Sequence, residues 1–141
     1  MTITVRRLDD IDSARVLHDL AFEADKWVGD DHTFWVARDP DAGNRTVGFA
    51  SAIFRAPEGD KPYVFLSRAA VVAKYQGQHL QRRLIAHRVF WGWWQGAEEI
   101  RTYTTLQNYP SMVNLLREGF SFYRPETPYA GKRYHYFRLS L

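Results

Sequence analysis

The residues richest in chemistry lie in one stretch, Arg68-Ala69-Ala70-Val71-Val72-Ala73-Lys74-Tyr75-Gln76-Gly77-Gln78-His79-Leu80-Gln81-Arg82-Arg83-Leu84. A mostly apolar run passes into a short polar turn, and a helix follows. Backbone N–H groups at a helix start have no intrahelical acceptor, and the helix dipole adds to their positive end. This is the chemistry of an anion site, and phosphate suits it. Arg82 and Arg83, in the first helical turns, would add charge. The same residues also fit an ordinary strand-to-helix turn with solvated arginines, and the stretch alone does not choose between the two.

The elements that must position this turn follow from periodicity. Residues 2–7 alternate and predict a first strand, with Asp9 and Asp10 as caps of the next helix. Ile11, Ala14, Leu17, Leu20 and Ala24 recur at helical spacing. Strands are expected at 34–38 and 46–54, joined by the Pro- and Gly-containing turn 39–44 into a hairpin. A long, mostly apolar strand at 63–73 reads as central in a sheet. A helix predicted from near Gln78 places Leu80, Leu84, His87, Trp91 and Trp94 on one face and ends at Gly96. A strand at 100–106, a helix opened by Pro110 and closed by Gly119, and strands at 120–123 and 133–139 complete the chain. The order β-α-β-β-β-α-β-α-β-β predicts an α/β (α+β) fold. Its sheet is mixed and mostly antiparallel, six- to seven-stranded, with helices on both faces.

Composition bounds the function. The chain has 141 residues, 45% hydrophobic and 25% charged, as expected of one globular domain spanning 1–141. The formal net charge is +3, and fifteen of the nineteen basic residues are Arg. That excess suits an anionic ligand and is too small to imply nucleic acid by itself. With no Cys, disulfides, thiolate metal sites and a cysteine nucleophile are excluded. The His and acidic residues show no metal-ligand spacing, so no metal is expected. The N-terminus lacks a signal-like apolar run, and no stretch of eighteen apolar residues exists. A cytoplasmic protein without membrane contact is the expectation.

In this frame the stretch resembles the signature of the GCN5-related N-acetyltransferases (GNAT). There, a hydrophobic-Ala-Val strand end is followed by Arg or Gln, Gly, x, Gly, x, Gly. Ala70-Val71 match the strand end and Gln76-Gly77 the start of the turn. A second block, Asn108 to Phe120, also matches, with Asn108, Ser111, Gly119 and Phe120 in register. The resemblance covers nearly the whole chain. It implies an acyl-CoA N-acyltransferase fold and acetyl-CoA as cosubstrate. It implies direct transfer of the acetyl group to an amine acceptor, whether a small molecule or a protein amine. It implies coenzyme contacts at Ala69, Ala70, Val71, Gln76, Gly77, Gln78, His79, Leu80, Gln81, Arg82 and Asn108. The turn would wrap the pyrophosphate, and the strand edge would pair with the pantetheine arm.

Two departures stand out. His79 and Gln81 occupy positions where the family has glycines that let backbone approach phosphate. A working but altered coenzyme site is expected, with either residue crowding the pyrophosphate or donating a hydrogen bond to it. Seven residues after Asn108, where many members place a general-acid Tyr, stands Leu115. No residue fills that role by motif. Tyr109, Tyr123 and Tyr129 are possible substitutes as acid, and His18, His32 and His135 as base through water, but water itself could serve as the acid.

Asp30 and Asp31 fall where the family borders its acceptor cleft and would attract a cationic amine, or are simply loop acids. Tyr134 and Tyr136 share a strand face and could wall that cleft or only pack. The alternative to an enzyme is a GNAT-fold protein acting through a partner, with Phe90 and Trp93 off the predicted core face as a partner or homodimer surface. Action on an aminoacyl-tRNA is a third reading, for which no RNA-binding motif is present.

Overall fold

The computed structural model describes residues 3–8, 12–22, 29 and 31–141, with backbone alone at 13, 14, 17, 20 and 21. The elements are β1 (Thr4–Arg7), α1 (Asp12–Ala21), β2 (Thr33–Asp39), β3 (Arg45–Arg55), β4 (Tyr63–Val71), α2 (Leu80–Gln95), β5 (Glu99–Thr105), α3 (Tyr109–Arg117), β6 (Ser121–Tyr123) and β7 (Tyr134–Ser140). The element order agrees with the sequence reading. Asp9 and Asp10, expected as caps of α1, lie outside the described residues, as do Ile11 and Ala24 and the side chains of Ala14, Leu17 and Leu20.

One seven-stranded sheet runs β1-β2-β3-β4-β5-β7-β6. β4 and β5 pair parallel, whereas β1–β2, β2–β3, β5–β7 and β6–β7 pair antiparallel. The fold is therefore α/β with a mixed, mostly antiparallel sheet, as the element order required. Two compact units are distinguishable, residues 1–53 with 67–84 and residues 54–66 with 85–141.

In the first unit, Phe34, Val36 and Phe49 form a buried cluster joined by Leu8, Phe22 and Ala70. The β2–β3 hairpin closes through a 3-10 turn, Pro40–Ala42, capped by Asp39, whose carboxylate accepts from the Asp41 amide at 2.9 Å. A Cβ at Gly48 would stand 3.3 Å from the Ala70 carbonyl, so this glycine lets β3 lie close to that residue.

In the second unit, Gly92 brings α2 against the strands. A Cβ there would meet Ile100 Cδ1 at 2.7 Å and Val64 Cγ2 at 3.1 Å. This corrects the predicted face of α2. Leu80, Leu84, Ile85, Arg88 and Gly92 are buried, whereas His87 and Trp94 are exposed. The helix is rotated toward its smallest residue, and a hydrophobicity count ranks Trp94 above Gly92 and Arg88. α3 ends as a Schellman motif. Gly119 is left-handed at φ +93, its amide donates to Leu116 O at 3.1 Å, and the Phe120 amide donates to Leu115 O at 3.0 Å.

Candidate functional site

The turn after β4 is built by local bonds. Ala73–Tyr75 forms a short 3-10 segment, and the Gln76 amide donates to Ala73 O at 3.2 Å. The Gln76 side chain reaches back, its Nε2 donating to Val71 O at 3.0 Å, which braces the strand end against the turn. Tyr75 is buried and its hydroxyl donates to Asp39 Oδ2 at 2.5 Å. The turn is thereby tied to the cap of the β2–β3 hairpin. The Tyr75 hydrogen bond holds the Asp39 carboxyl below the usual range, aided by the Asp41 amide. The same bond, with burial, raises the Tyr75 phenol.

Two residues of the turn adopt left-handed backbone, Gly77 at φ +80 and His79 at φ +61. A Cβ on Gly77 would meet nothing within 4 Å. His is among the few non-glycine types enriched in this conformation. It also moves the helix start. α2 begins at Leu80 rather than near Gln78, because a left-handed residue cannot be helical. The first helical bond runs from the Arg83 amide to His79 O at 3.0 Å. The amides of Leu80, Gln81 and Arg82 consequently have no intrahelical acceptor. Gln76, Gly77, Gln78 and His79 are exposed, Gln81 and Arg82 are half-buried, and Leu80 is buried. Left-handed residues beside a helix start aim successive amides into one concavity, a geometry suited to an anion.

Ala69 and Ala70 are half-buried on β4 and Val71 is buried. The paired residues of β4 and β5 are Tyr63 with Glu99, Val64 with Ile100 and Phe65 with Arg101. Further along β4, Ser67 Oγ is buried and has no hydrogen-bond partner among the described residues. Asn108 belongs to the second unit. Its side chain caps α3, Oδ1 accepting from the Ser111 amide at 3.3 Å. The Asn108-to-Ser111 spacing is therefore that of a helix cap.

The proposed acids and bases are scattered. Leu115 is buried in the core. Tyr109 is exposed on α3. Burial pushes the Tyr123 phenol up. Burial and then a hydrogen bond with Tyr123 push that of Tyr129 up further. Neither phenol is tuned to release a proton. His18 is fully buried, with Nε2 accepting from Arg68 at 2.6 Å and Nδ1 at 3.2 Å from Asp19 Oδ1. Both ring nitrogens are engaged inside the first unit. His32 Nδ1 lies 3.0 Å from Asp31 Oδ1, so Asp31 already has a partner, and Asp30 lies outside the described residues. His135 is half-buried with its ring 5.5 Å from Phe122.

An aromatic assembly in the second unit was only half visible in the sequence. Tyr134 and Tyr136 do share a wall with Tyr103, at centroid distances of 4.9 and 6.0 Å. Phe65 and Tyr129 join it, the first at 5.7 Å and the second at 6.0 Å from Tyr103. Tyr103 and Tyr136 are cross-strand partners, and only the strand register reveals that.

The profile of the Acetyltransferase (GNAT) family matches residues 5–122. No curated protein matches the chain. Solved structures do. Arabidopsis thaliana NAA60 in complex with acetyl-CoA is 18% identical, with 99% of each chain covered and a TM-score of 0.78. The IAA acetyltransferase from Bacillus cereus is 13% identical, covering 99% of this chain and 100% of that one, with a TM-score of 0.80. AAC(6')-Iy in complex with a bisubstrate analog is 20% identical, covering 90% and 100%, with a TM-score of 0.72.

Proposed function

The chain belongs to the Acetyltransferase (GNAT) family, and from that premise we propose that it moves an acetyl group from acetyl-CoA directly to an amine acceptor. The observation that carries this reading is the turn after β4, where Gly77 and His79 are left-handed and the first helical bond is delayed to Arg83. In this reading, the amides of Gly77 to Gln81 receive the pyrophosphate and Arg82 adds charge. Ala69, Ala70 and Val71 offer a strand edge to the pantetheine arm, an added-strand mode of binding. The orphan Ser67 hydroxyl is a polar group that a bound amide could satisfy. Structures alike in fold carry acetyl-CoA or a bisubstrate analog, which supports the same cosubstrate here.

The coenzyme supplies the acetyl group as a thioester; the amine nitrogen forms the new C–N bond, the C–S bond breaks, and the amine proton leaves as the thiolate gains one. With no Cys in the chain, no cysteinyl intermediate intervenes. Leu115 cannot protonate the departing sulfur, and in this reading water serves as the acid. We take residues 1–141 as one catalytic domain acting in the cytoplasm. Among the described residues no helix is long and apolar enough to cross a membrane.

Isothermal titration with acetyl-CoA, and with desulfo-coenzyme A as control, tests the proposal. Micromolar binding of both is expected, followed by thiol release in an acceptor screen. No binding at millimolar ligand overturns it. A partner-binding role would then lead, favoured by one observation. Phe90, Trp93 and Trp94 on α2 are 61%, 59% and 66% exposed, with ring centroids 5.6–6.3 Å apart. Such a cluster suits a homodimer or partner contact, and light scattering of the Trp93→Ser variant would report the former.

A further inference from the structure

The outer face of α2 is apolar where a surface helix is normally polar. Within the second unit its outward positions include Ala86, His87, Phe90, Trp93 and Trp94, spaced three and four apart, and of these only His87 is ionisable. The inner positions Ile85 and Gly92 already serve the core, so the outer stripe is surplus to it. Ala86, Val89, Phe90 and Trp93 line a groove of about 400 Å³, with Glu118 at the end of α3 and Leu141 completing its wall. Trp94 stands beside the groove as a projection. Its ring centroid is 5.6 Å from that of Trp93 and 6.3 Å from that of Phe90, edge-on to both, and these contacts brace the indole.

A groove and a projection on one face make that face self-complementary. In a two-fold contact residue i meets residue j while j meets i. Antiparallel pairing of α2 about Phe90 lays Trp94 of each copy one turn beyond the axis, over the partner copy's residues one turn before it. Those residues are Ala86 and His87, at the groove. A buried indole N–H needs an acceptor. Glu118 is the acceptor side chain among the groove's described residues, and a carboxylate takes several donors at once.

The area fits such a pair. Three aromatics at about three-fifths exposure offer roughly 270–450 Å² on each copy. Two copies together bury roughly 550–900 Å², and Ala86, Val89 and Leu141 bring the total near the roughly 1,000 Å² that a specific interface needs. That is well short of an obligate dimer, so exchange with the monomer is expected. A lipid surface is the poorer occupant, because helices that lie on membranes flank their apolar face with Lys and Arg. The one charged group lining this groove among the described residues is an acid. We propose that this face joins two copies of the chain through antiparallel α2 helices, with Trp94 of each seated in the groove of the other against Glu118. The inference is independent of acetyl transfer, and coenzyme titration neither supports nor removes it.

Sedimentation velocity of the full chain, from micromolar to submillimolar concentration, tests the pairing. The sedimentation coefficient is expected to rise to the limit for two chains, with a Kd in the micromolar range. Trp94→Ala should raise that Kd at least tenfold, as truncation of a seated tryptophan does. Glu118→Leu should raise it severalfold, whereas Glu118→Gln, which keeps an acceptor oxygen, should stay near the parent. Val16→Ser removes a comparably exposed apolar side chain from α1 and should change nothing. Circular dichroism and the urea midpoint establish that each variant is folded. A monomer at every concentration, a dimer indifferent to Trp94→Ala, or growth beyond two chains, as an open-ended contact gives, overturns the inference. A monomer that co-sediments with phosphatidylcholine–phosphatidylglycerol vesicles, and loses this in Trp94→Ala, assigns the face to a lipid surface and overturns it equally.

Discussion

The turn after β4 and the aromatic wall of the second unit are built from different materials. The turn presents backbone amides, and its side chains mainly brace it, as Gln76 does on Val71 O and Tyr75 on Asp39. The wall presents side chains from three strands and a loop, and the backbone only sets their spacing. A site made of backbone tolerates exchange of side chains so long as the dihedral angles survive, as His79 illustrates at φ +61. A site made of side chains changes its ligand with one or two substitutions. The difference predicts where each unit is fragile.

The second unit is most vulnerable where its packing is tightest. Gly92→Val would drive methyl groups into Ile100 and Val64, both fully buried. A loss of about 3 kcal/mol is expected, at the upper end of overpacking costs, read as a lower urea midpoint. A variant as stable as the parent would mean that α2 is not seated on this glycine.

The first unit depends instead on a polar bond. Tyr75→Phe removes the hydroxyl that holds the Asp39 carboxyl below its usual range. A group with a depressed folded pKa stabilises the fold above its unfolded value and loses that contribution as pH falls through the folded one. The variant should therefore melt lower at pH 7, by roughly 5 °C, and the gap should close as the pH falls below about 4, the ordinary Asp range. Coenzyme affinity should weaken with it, because Tyr75 lies directly before Gln76. No melting difference at either pH would show that the ring, which Phe keeps, and not the hydrogen bond, anchors the turn.

The same contrast explains what the sequence discloses. The turn is local: strand end, Gln76-Gly77 and helix start lie within a few residues, so periodicity and spacing locate it. Gly119 and Phe120 are legible for the same reason, since a Schellman motif is completed within six residues. The pairs that cross the chain are silent. His18 and Arg68 meet across fifty positions, and Asp39 and Tyr75 across thirty-six, with nothing in either local pattern to announce it. Periodicity alone misplaces the face of α2 because hydrophobic weight favours tryptophan, whereas close approach favours Gly92. The acid of the reaction stayed illegible because Leu115 fills its place in the family pattern, and no other residue announces the role by type and spacing.

The smallest expected effect bears most directly on the comparison. A left-handed non-glycine residue carries strain of roughly 1–2 kcal/mol, and glycine would relieve it at an entropic cost of about 0.5–1 kcal/mol. His79→Gly should thus leave stability within about 1 kcal/mol of the parent, on the stabilising side. If the backbone alone makes the anion site, desulfo-coenzyme A should bind at least as tightly, since the amides of His79, Leu80 and Gln81 keep their directions and an exposed imidazole is gone. A fall in affinity of tenfold would make the His79 ring a direct contact with the pyrophosphate. The turn would then act through a side chain as well as its backbone, and its departure from the glycine pattern would be a gain of a ligand contact.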